Sequence, residues 1–302
     1  MRAAIAIIGV ILIFGGSFFL KQGTLSEETA APDAAFHCGR IVSMSPGITE
    51  SLFALGLGDK VVGVTRYCNY PPAALDCMRI GGFLDPNYEL LVALRPDMIL
   101  LTPFHRTLQP VLDRLGLRHQ VISQDTMDAI RSSYEELGAL CDCNDSAQRL
   151  VSDMDAHITE AAQHGAARPR LRVLMVTGRE SASGSLKQIY AISSGSFLSD
   201  LLTIVGGDNC VEGQWAEYPA ISAEGILELD PDLIIEFGQE DSEAAHADAL
   251  QAWQSLGVLE AVLRGRVYYL GGAQYTIPGP RLIETLDALE RCFNEDEKAM
   301  IL

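Results

Sequence analysis

The chain opens with a run of apolar residues that differs from everything after it. Residues 3–20 carry no charged side chain, and Arg2 and Lys21 flank them. A helix over this run is about 27 Å long at ~1.5 Å per residue, close to the thickness of the hydrocarbon core of a bilayer. The pattern predicts a cleaved signal peptide or an uncleaved membrane anchor in residues 1–21, and both predict export of the rest of the chain. Residues 22–39 are polar and are typical of a linker.

From Arg40 onward, short apolar runs alternate with segments of helical periodicity. The apolar runs predict strands at residues 40–44, 61–64, 98–101 and 120–123. The segments between and after them predict helices at residues 49–55, 87–94, 107–115 and 126–140. Short strands separated by helices of this length indicate parallel βαβ units. We therefore expect an N-terminal α/β lobe over residues 40–143.

A long amphipathic segment interrupts this rhythm. In residues 144–167, Leu150, Met154 and Ile158 recur at helical spacing, so the pattern predicts one long helix. A second alternation follows, with strands expected at residues 172–177, 233–236 and 267–270 and helices at residues 197–205, 223–229 and 280–293. The expected fold is two Rossmann-like α/β lobes with mainly parallel sheets, joined by one long backbone helix, and the second lobe covers residues 168–302.

An internal repeat relates the two lobes. Four residues recur at identical spacing in residues 89–100 and 224–235: Glu89 and Glu224, Leu94 and Leu229, Pro96 and Pro231, and Asp97 and Asp232. Each copy has the pattern of a helix that ends at a proline turn and leads into a buried strand. The two glutamates begin equivalent helices, where the helix dipole also favours a carboxylate.

Composition and charge narrow the possible functions. Hydrophobic residues make up 48% of the chain and charged residues 21%, which is ordinary for a globular protein. The formal net charge is −18. A nucleic-acid-binding protein needs a basic surface to neutralise phosphates, so this class is excluded.

The seven cysteines of an exported chain favour disulfides over metal binding. Cys68 and Cys77 flank Pro71 and Pro72, whose turn brings the chain ends together, so they form the best pair. Two further pairs are possible: Cys38 with Cys141 or Cys143, and, more weakly, Cys210 with Cys292. The spacing of Cys141 and Cys143 does not fit a zinc site.

Six segments carry a resemblance to a known family. They are residues 40–50 (RIVSMSPGITE), 63–72 (GVTRYCNYPP) and 81–89 (GGFLDPNYE), the paired Leu-x-Pro-Asp turns, and residues 280–283 (PRLI). Together they resemble the periplasmic vitamin B12-binding proteins of ABC importers. The wider family consists of helical-backbone binding proteins for cobalamin, haem and ferric siderophores, and the resemblance extends over nearly all of residues 40–293.

The resemblance implies an extracytoplasmic binding protein that holds cobalamin as a transported ligand, not as a cofactor, in a cleft between two rigid lobes. It implies cleft aromatics at Tyr67, Phe83, Tyr218, Tyr275 and Trp215. It also implies a permease and an ATPase as partners, with Glu89 and Glu224 pairing with arginines of the two permease subunits. Ala273 and Ile277 stand where the cobalamin-binding pattern has an acidic and a basic residue, so haem and ferric siderophores stay open as ligands.

An exported enzyme built on the same scaffold is the alternative of a different class. The sequence contains no Gly-x-Ser-x-Gly elbow, no P-loop and no His-Glu-x-x-His motif, which disfavours it. Residues 178–185 (GRESASGS) have the composition of a loop and could bind an anion through backbone amides. We expect His105 at the lip of the cleft or in a solvated loop. Four arginines could converge on the cleft: Arg66, Arg106, Arg179 and Arg281.

Overall fold

Two β-sheets with helices on both faces organise the chain. The computed structural model describes residues 38–182, 185–213 and 218–301. The predicted signal or anchor at residues 1–21, nearly all of the predicted linker, and Trp215 lie outside the described residues. Within those ranges, no helix is both long enough and apolar enough to cross a membrane.

The N-terminal sheet is entirely parallel. Its strands are β1 (Ile41–Ser43), β2 (Val61–Val64), β3 (Met78–Arg79), β4 (Met98–Leu101) and β5 (His119–Val121), in the order β3-β2-β1-β4-β5. Its helices are α1 (Pro46–Ala54), α2 (Tyr88–Leu94), α3 (Gln109–Arg114) and α4 (Met127–Leu140). The strand order turns back at β1, because β2 lies on one side of it and β4 on the other. The carboxyl ends of parallel strands around such a switch point form a natural ligand crevice.

One helix, α5 (Asn144–Ala166), leads from the first sheet to the second. Its 23 residues span roughly 35 Å. Met154 and Ala161 on its inner face are buried in a hydrophobic cluster with Tyr134 of α4 and with residues that follow α5 in the chain. The two lobes therefore share part of a core as well as a helix.

The C-terminal sheet is mixed. Its strands are β6 (Leu171–Ala182), β7 (Ser185–Ala191), β8 (Gly207–Asn209), β9 (Ala220–Ser222), β10 (Leu233–Gly238) and β11 (Val267–Gly271), in the order β11-β10-β6-β7-β9. The first residues of β6 pair with β8 in parallel, and its later residues pair with β7 in antiparallel. Its helices are α6 (Phe197–Ile204), α7 (Ala223–Leu229), α8 (Glu243–Gln254), α9 (Glu260–Leu263) and α10 (Leu282–Ile301).

Side chains alternate between the two faces of each sheet. Ile41 of β1 lies in one buried cluster and Val42 in another; likewise, Val173 and Leu174 of β6 lie in different clusters. This period of two, with apolar residues on both faces, is what a sheet covered by helices on both sides requires. The predicted fold class, two α/β lobes joined by a long helix, is confirmed.

Within residues 178–185, the prediction of a loop is wrong for residues 178–182 and 185, and residues 183 and 184 lie outside the described residues. Strand β6 continues to Ala182 and pairs with β7 as a hairpin, with Gly178 opposite Tyr190 and Arg179 opposite Ile189. Small polar residues resemble a loop in sequence. Strand pairing is made by backbone groups, however, and it holds here whatever the composition of the segment.

The predicted disulfides have mixed outcomes. Cys38 and Cys141 are bonded, which confirms one of the two options for Cys38. The pair of Cys68 and Cys77 is wrong, because both are thiols. The Cys68 sulfur lies 3.1 Å from the Thr65 hydroxyl in the core, whereas Cys77 donates to the Val61 carbonyl.

The weaker option for a third disulfide is also wrong. Cys210 is a thiol, so it is not bonded to Cys292. Its position directly after β8 is fixed by the backbone bond from its N–H to the Val173 carbonyl (2.9 Å).

Candidate functional site

A cavity of about 220 Å³ lies between the two lobes. Residues of both lobes line it: Ser45, Pro46, Gly47, Phe83, Thr102, Phe104, Gln124, Asp125, Phe197, Tyr218, Thr276, Ile277 and Pro278. Ser45 follows β1, Thr102 follows β4 and Gln124 comes soon after β5, so the N-terminal side of the cavity is the carboxyl edge of its sheet. This is the crevice that the strand order predicts.

Two aromatic rings form the wall on the N-terminal lobe. Phe83 comes from the turn after β3 and Phe104 from the 3-10 turn after β4, and their ring centroids are 6.5 Å apart. Phe104 is 54% exposed although it is large and apolar. It is not among the residues predicted from the sequence. An aromatic directly after a buried strand and a proline was the signal that could have found it.

His105 lies behind this wall and is fully buried. Its expected place at the lip of the cleft or in a solvated loop is therefore wrong. Its Nδ1 accepts the Thr102 backbone N–H at 2.9 Å, and its Nε2 lies 2.9 Å from the Phe83 carbonyl oxygen. Burial lowers the pKa of His105 below its usual value, so the ring is neutral at pH 7. Both ring nitrogens are engaged and are not presented to a metal.

Tyr218 and Phe197 stand on the side of the C-terminal lobe. Tyr218 is 42% exposed, and its neighbour Pro219 accepts the Ala191 N–H through its carbonyl. Phe197 begins α6, and its N–H donates to the Asp125 carbonyl of the other lobe at 2.7 Å. The two walls are thus joined by a backbone bond at the edge of the cavity.

Glycine at position 47 lets the lobes approach closely at the base of the cavity. A Cβ atom on Gly47 would lie 2.1 Å from the carbonyl oxygen of Pro278, which no real contact allows. Gly47 is also in contact range of Gly279. A side chain at Gly47 would force the two lobes apart.

Some of the predicted ligand residues line the cavity and others do not. Phe83 and Tyr218 line the cavity, and Trp215 lies outside the described residues. Tyr67 is 54% exposed and does not line the cavity, but the N–H of the preceding residue, Arg66, donates to the Gly81 carbonyl beside the Phe83 turn. Tyr275 packs against the core of the C-terminal lobe, although its neighbour Thr276 reaches the cavity.

The arginines do not converge into a basic cleft. Arg66 lies 3.0 Å from Asp85, and Arg179 lies 2.9 Å from Glu236 and 2.5 Å from Asp248. These carboxylates neutralise both guanidinium groups. Arg106 is exposed, directly after His105. In the described ranges, no cluster of three or more His, Cys, Asp or Glu side chains could hold a metal ion.

Arg281 joins the two lobes. It makes two bonds to the Glu50 carboxylate of α1, at 2.6 Å and 2.9 Å, and both side chains are largely buried. Its guanidinium also lies 3.9 Å from the ring centroid of Tyr70, in the same loop as Tyr67. Burial raises the pKa of Glu50, and Arg281 opposes this shift. The pair spans the two lobes beneath the cavity.

Glu89 and Glu224 occupy equivalent exposed positions. Each lies in the first turn of its helix, α2 or α7, and the helices begin at the capping side chains of Asn87 and Ser222. Hydrogen bonds from its own backbone N–H and from Ser222 lower the pKa of Glu224. Both carboxylates are available to a partner on the surface.

Comparison with known proteins gives consistent results. The model of a family described as periplasmic binding protein matches residues 41–273. The vitamin B12-binding protein of Vibrio cholerae is 28% identical over 258 residues, which are 85% of this chain and 88% of that protein.

Solved structures agree with this result. The crystal structure of the periplasmic vitamin B12 binding protein BtuF of Vibrio cholerae matches with a TM-score of 0.73 and 26% identity, over 86% of this chain and 98% of that one. A periplasmic heme binding protein from Pseudomonas aeruginosa matches with a TM-score of 0.71 and 25% identity, over 84% of this chain and 92% of that one.

Proposed function

Because this chain belongs to the periplasmic binding protein family, we propose that it captures a corrinoid, cobalamin, between its two lobes and delivers it to an ABC importer. Like its homologues, it is a substrate-binding protein and not an enzyme, so its ligand is cargo and not a cofactor. It works on the extracytoplasmic side of a membrane. Residues 1–21 supply the export signal in this proposal, either cleaved or kept as a tether.

The observation that carries the proposal is the pair of aromatic walls on opposite lobes. Phe83 and Phe104 stand on one side of the cavity, and the exposed ring of Tyr218 stands on the other, beside Phe197, which is largely buried in the C-terminal core. Aromatic faces bind large, flat, partly apolar molecules well, because they bury much area and lose little conformational freedom. A macrocycle that enters edge-on suits this arrangement better than a small solute or a bare ion.

Two features favour a corrinoid over the other ligands of the family. The relative from Vibrio cholerae is a vitamin B12-binding protein. In addition, Arg66 and Arg179 are neutralised by carboxylates, so neither offers a free charge to a siderophore or to haem carboxylates. Haem is the second candidate. It is favoured by the heme binding protein from Pseudomonas aeruginosa and by the Tyr218 phenol, since a tyrosine can ligate haem iron.

Delivery requires docking on the importer. We assign this role to Glu89 and Glu224, which stand at equivalent exposed positions on the two lobes and match a pair of permease subunits in number. In this proposal the lobes at residues 40–143 and 168–302 each carry one docking glutamate, and the helix at residues 144–167 holds the lobes apart.

A ligand panel tests the proposal. The purified protein is titrated with cyanocobalamin, haemin and a ferric siderophore by calorimetry, then desalted, and the bound ligand is measured by its absorbance. We expect cobalamin to be retained at one per chain with an unchanged spectrum. Retention of haemin with a shifted Soret band, and no retention of cobalamin, would replace cobalamin by haem.

Variants locate the binding site. Phe104→Ala and Tyr218→Ala, one in each wall, are expected to weaken cobalamin binding. Val258→Ala is the matched control, because Val258 is 76% exposed and does not line the cavity. Equal affinity in all three variants would show that the ligand binds elsewhere.

A further inference from the structure

The cavity wall on the N-terminal lobe is built from two segments that are distant in sequence. Phe83 lies in a tight turn after β3, in which the Gly82 N–H donates to the Asp85 carbonyl and Gly81 pairs with Pro86. Phe104 lies in the 3-10 turn that follows β4. The two rings form one wall only if the Phe83 turn is held against the end of β4.

His105 makes this connection. A backbone N–H can only donate, so Nδ1 of His105 must be the acceptor of the Thr102 N–H, and the ring proton resides on Nε2. Nε2 therefore donates to the Phe83 carbonyl oxygen at 2.9 Å. The imidazole also packs against the Phe83 ring, with centroids 4.3 Å apart. One side chain thus contacts both the main chain and the ring of Phe83.

An exposed ion pair also helps to hold the same turn, but it is weaker than the buried bonds of His105. Arg66 pairs with Asp85 at 3.0 Å, with both side chains more than half exposed. Ion pairs of this kind contribute roughly 0–1 kcal/mol and weaken with salt. The bonds of His105 are shielded from water by its full burial, so they are the persistent tie between the turn and β4.

We propose that His105 is a positioning residue for ligand binding, which fixes the Phe83 ring in the cavity wall by bridging the end of β4 to the Phe83 turn. This rests on the proposed function, because it assigns His105 a part in the same site. His105 does not touch the ligand in this proposal. It acts through Phe83 alone.

Two substitutions distinguish the bond from His105 to Phe83 from the local bond between His105 and Thr102. The segment Thr102 to His105 forms a capping box, a motif in which Gln commonly takes the place held by His105. In His105→Gln, the amide oxygen and nitrogen are separated by one carbon, as the ring nitrogens are, so both bonds can be kept. In His105→Asn, the amide oxygen can replace Nδ1 and keep the bond to Thr102, but no donor reaches the Phe83 carbonyl.

The first measurement compares ligand affinity with stability. Cyanocobalamin is the probe, and haemin replaces it if the unmodified protein retains haemin instead. For His105→Asn we expect a roughly two- to tenfold rise in Kd, the effect of losing one hydrogen bond. Its Tm should also fall, because a fully buried side chain becomes smaller and the Phe83 carbonyl loses its donor, so Kd is measured at a temperature where the variant is folded. His105→Gln should restore most of the affinity. Unchanged affinity in His105→Asn would overturn the proposal.

The second measurement asks whether His105 acts through Phe83. In the Phe83→Ala background, His105→Asn should have no further effect on Kd, so the two substitutions are strongly non-additive. If their effects on Kd multiply instead, His105 acts independently of Phe83 and the proposal is wrong.

Amide hydrogen exchange of residues 81–87 provides a readout without ligand. Exchange in this turn should be faster in His105→Asn and normal in His105→Gln, while residues 98–101 of β4 stay protected in both. Unaltered exchange of the turn in His105→Asn would contradict the bridge. If the unmodified protein binds neither cobalamin nor haemin, the proposed function fails, and the exchange measurement still decides the role of His105.

Discussion

The two lobes share a helix-turn-strand unit away from the cavity, but they differ in the residues that form the cavity walls. Both have a short helix that ends in a left-handed residue, Arg95 with φ of 45° in one lobe and Asp230 with φ of 41° in the other. In both, an arginine at the start of the lobe donates to the last carbonyl of that helix: Arg40 to Leu94 and Arg172 to Leu229. The same arginines accept a backbone N–H from the aspartate of each repeat, Asp97 and Asp232, through their carbonyls.

At the cavity the resemblance between the lobes ends. The N-terminal lobe has an all-parallel sheet and a wall of two phenylalanines tied by His105. The C-terminal lobe has the β6–β7 hairpin and presents Tyr218 and Phe197. The repeated unit is held by one arginine side chain and by backbone bonds at equal spacing, so it stays constant. The walls are built from loops of unequal length, which can differ without disturbing the sheets.

The largest expected effect on stability comes from breaking the ion pair between Glu50 and Arg281, which joins the two lobes. Glu50→Ala leaves Arg281 buried without its carboxylate, and we expect a loss of about 3–5 kcal/mol in the free energy of unfolding. Urea unfolding followed by circular dichroism measures this loss. Glu228→Ala, an exposed glutamate of α7, is the control. A loss below about 1 kcal/mol for Glu50→Ala would show that the lobes are held together elsewhere.

A second prediction concerns the disulfide of the N-terminal lobe. Cys38 and Cys141 join the two ends of the N-terminal lobe over a sequence separation of 103 residues. In the chain-entropy model, closing a loop of this size stabilises by up to ~4.7 kcal/mol, and measured losses on removal are typically about 2–5 kcal/mol. We expect Cys38→Ala with Cys141→Ala to lower the urea midpoint accordingly. Cys77→Ala, which removes a thiol, should not; equal midpoints for all variants would contradict the prediction.

Two tyrosines, one from each lobe, are predicted to have opposite roles. Tyr67 lies outside the cavity but in the loop beside the Phe83 turn, so a macrocycle that protrudes from the cavity would cover its exposed ring. Tyr67→Ala should therefore weaken corrinoid binding by about 1–3 kcal/mol, with little change in Tm because the ring supports no core. Tyr275→Ala should lower Tm more than affinity, because its ring packs on the C-terminal core. Calorimetric titration and thermal melts on the same samples check both. The reverse pattern would remove Tyr67 from the site and place Tyr275 in it.

The smallest effect per residue is expected where the lobes are alike. Glu89→Ala and Glu224→Ala each remove an exposed carboxylate, worth roughly 0–1 kcal/mol in an ion pair. The double variant should nevertheless impair uptake into vesicles that contain the importer, because both contacts orient the protein on the permease. Ligand affinity should be unchanged. Glu135→Ala, on exposed α4 surface, is the control, and full uptake by the double variant would exclude docking through these residues.

Local sequence patterns were enough to place many of the helices and strands, but not the short strands β3, β8 and β9, strand β7, or helices α8 and α9. Strands β2 and β4 and helix α7 have the predicted bounds, and α5 begins at the predicted residue, Asn144. Periodicity of apolar residues and proline turns are local signals, so a single sequence is enough to place these elements. The repeat that contains the two glutamates could also be found in the sequence, because its four residues recur at the same spacing in both lobes. Phe83 and Tyr218, which the resemblance implied, line the cavity, and their contact with a ligand stays a prediction.

Which distant segments meet became visible only in the folded chain. Local patterns did not predict three features that depend on contacts in the folded chain. They are the pairing of β6 with β7, the thiol state of Cys68 and Cys77, and the ion pair of Arg281 with Glu50 across 231 positions. The same holds for His105. Its neighbours in sequence suggest an exposed loop, but its partner Phe83 lies 22 positions away and covers it. Burial and charge pairing are properties of neighbours in space, and these are fixed only when segments that are distant in sequence pack together.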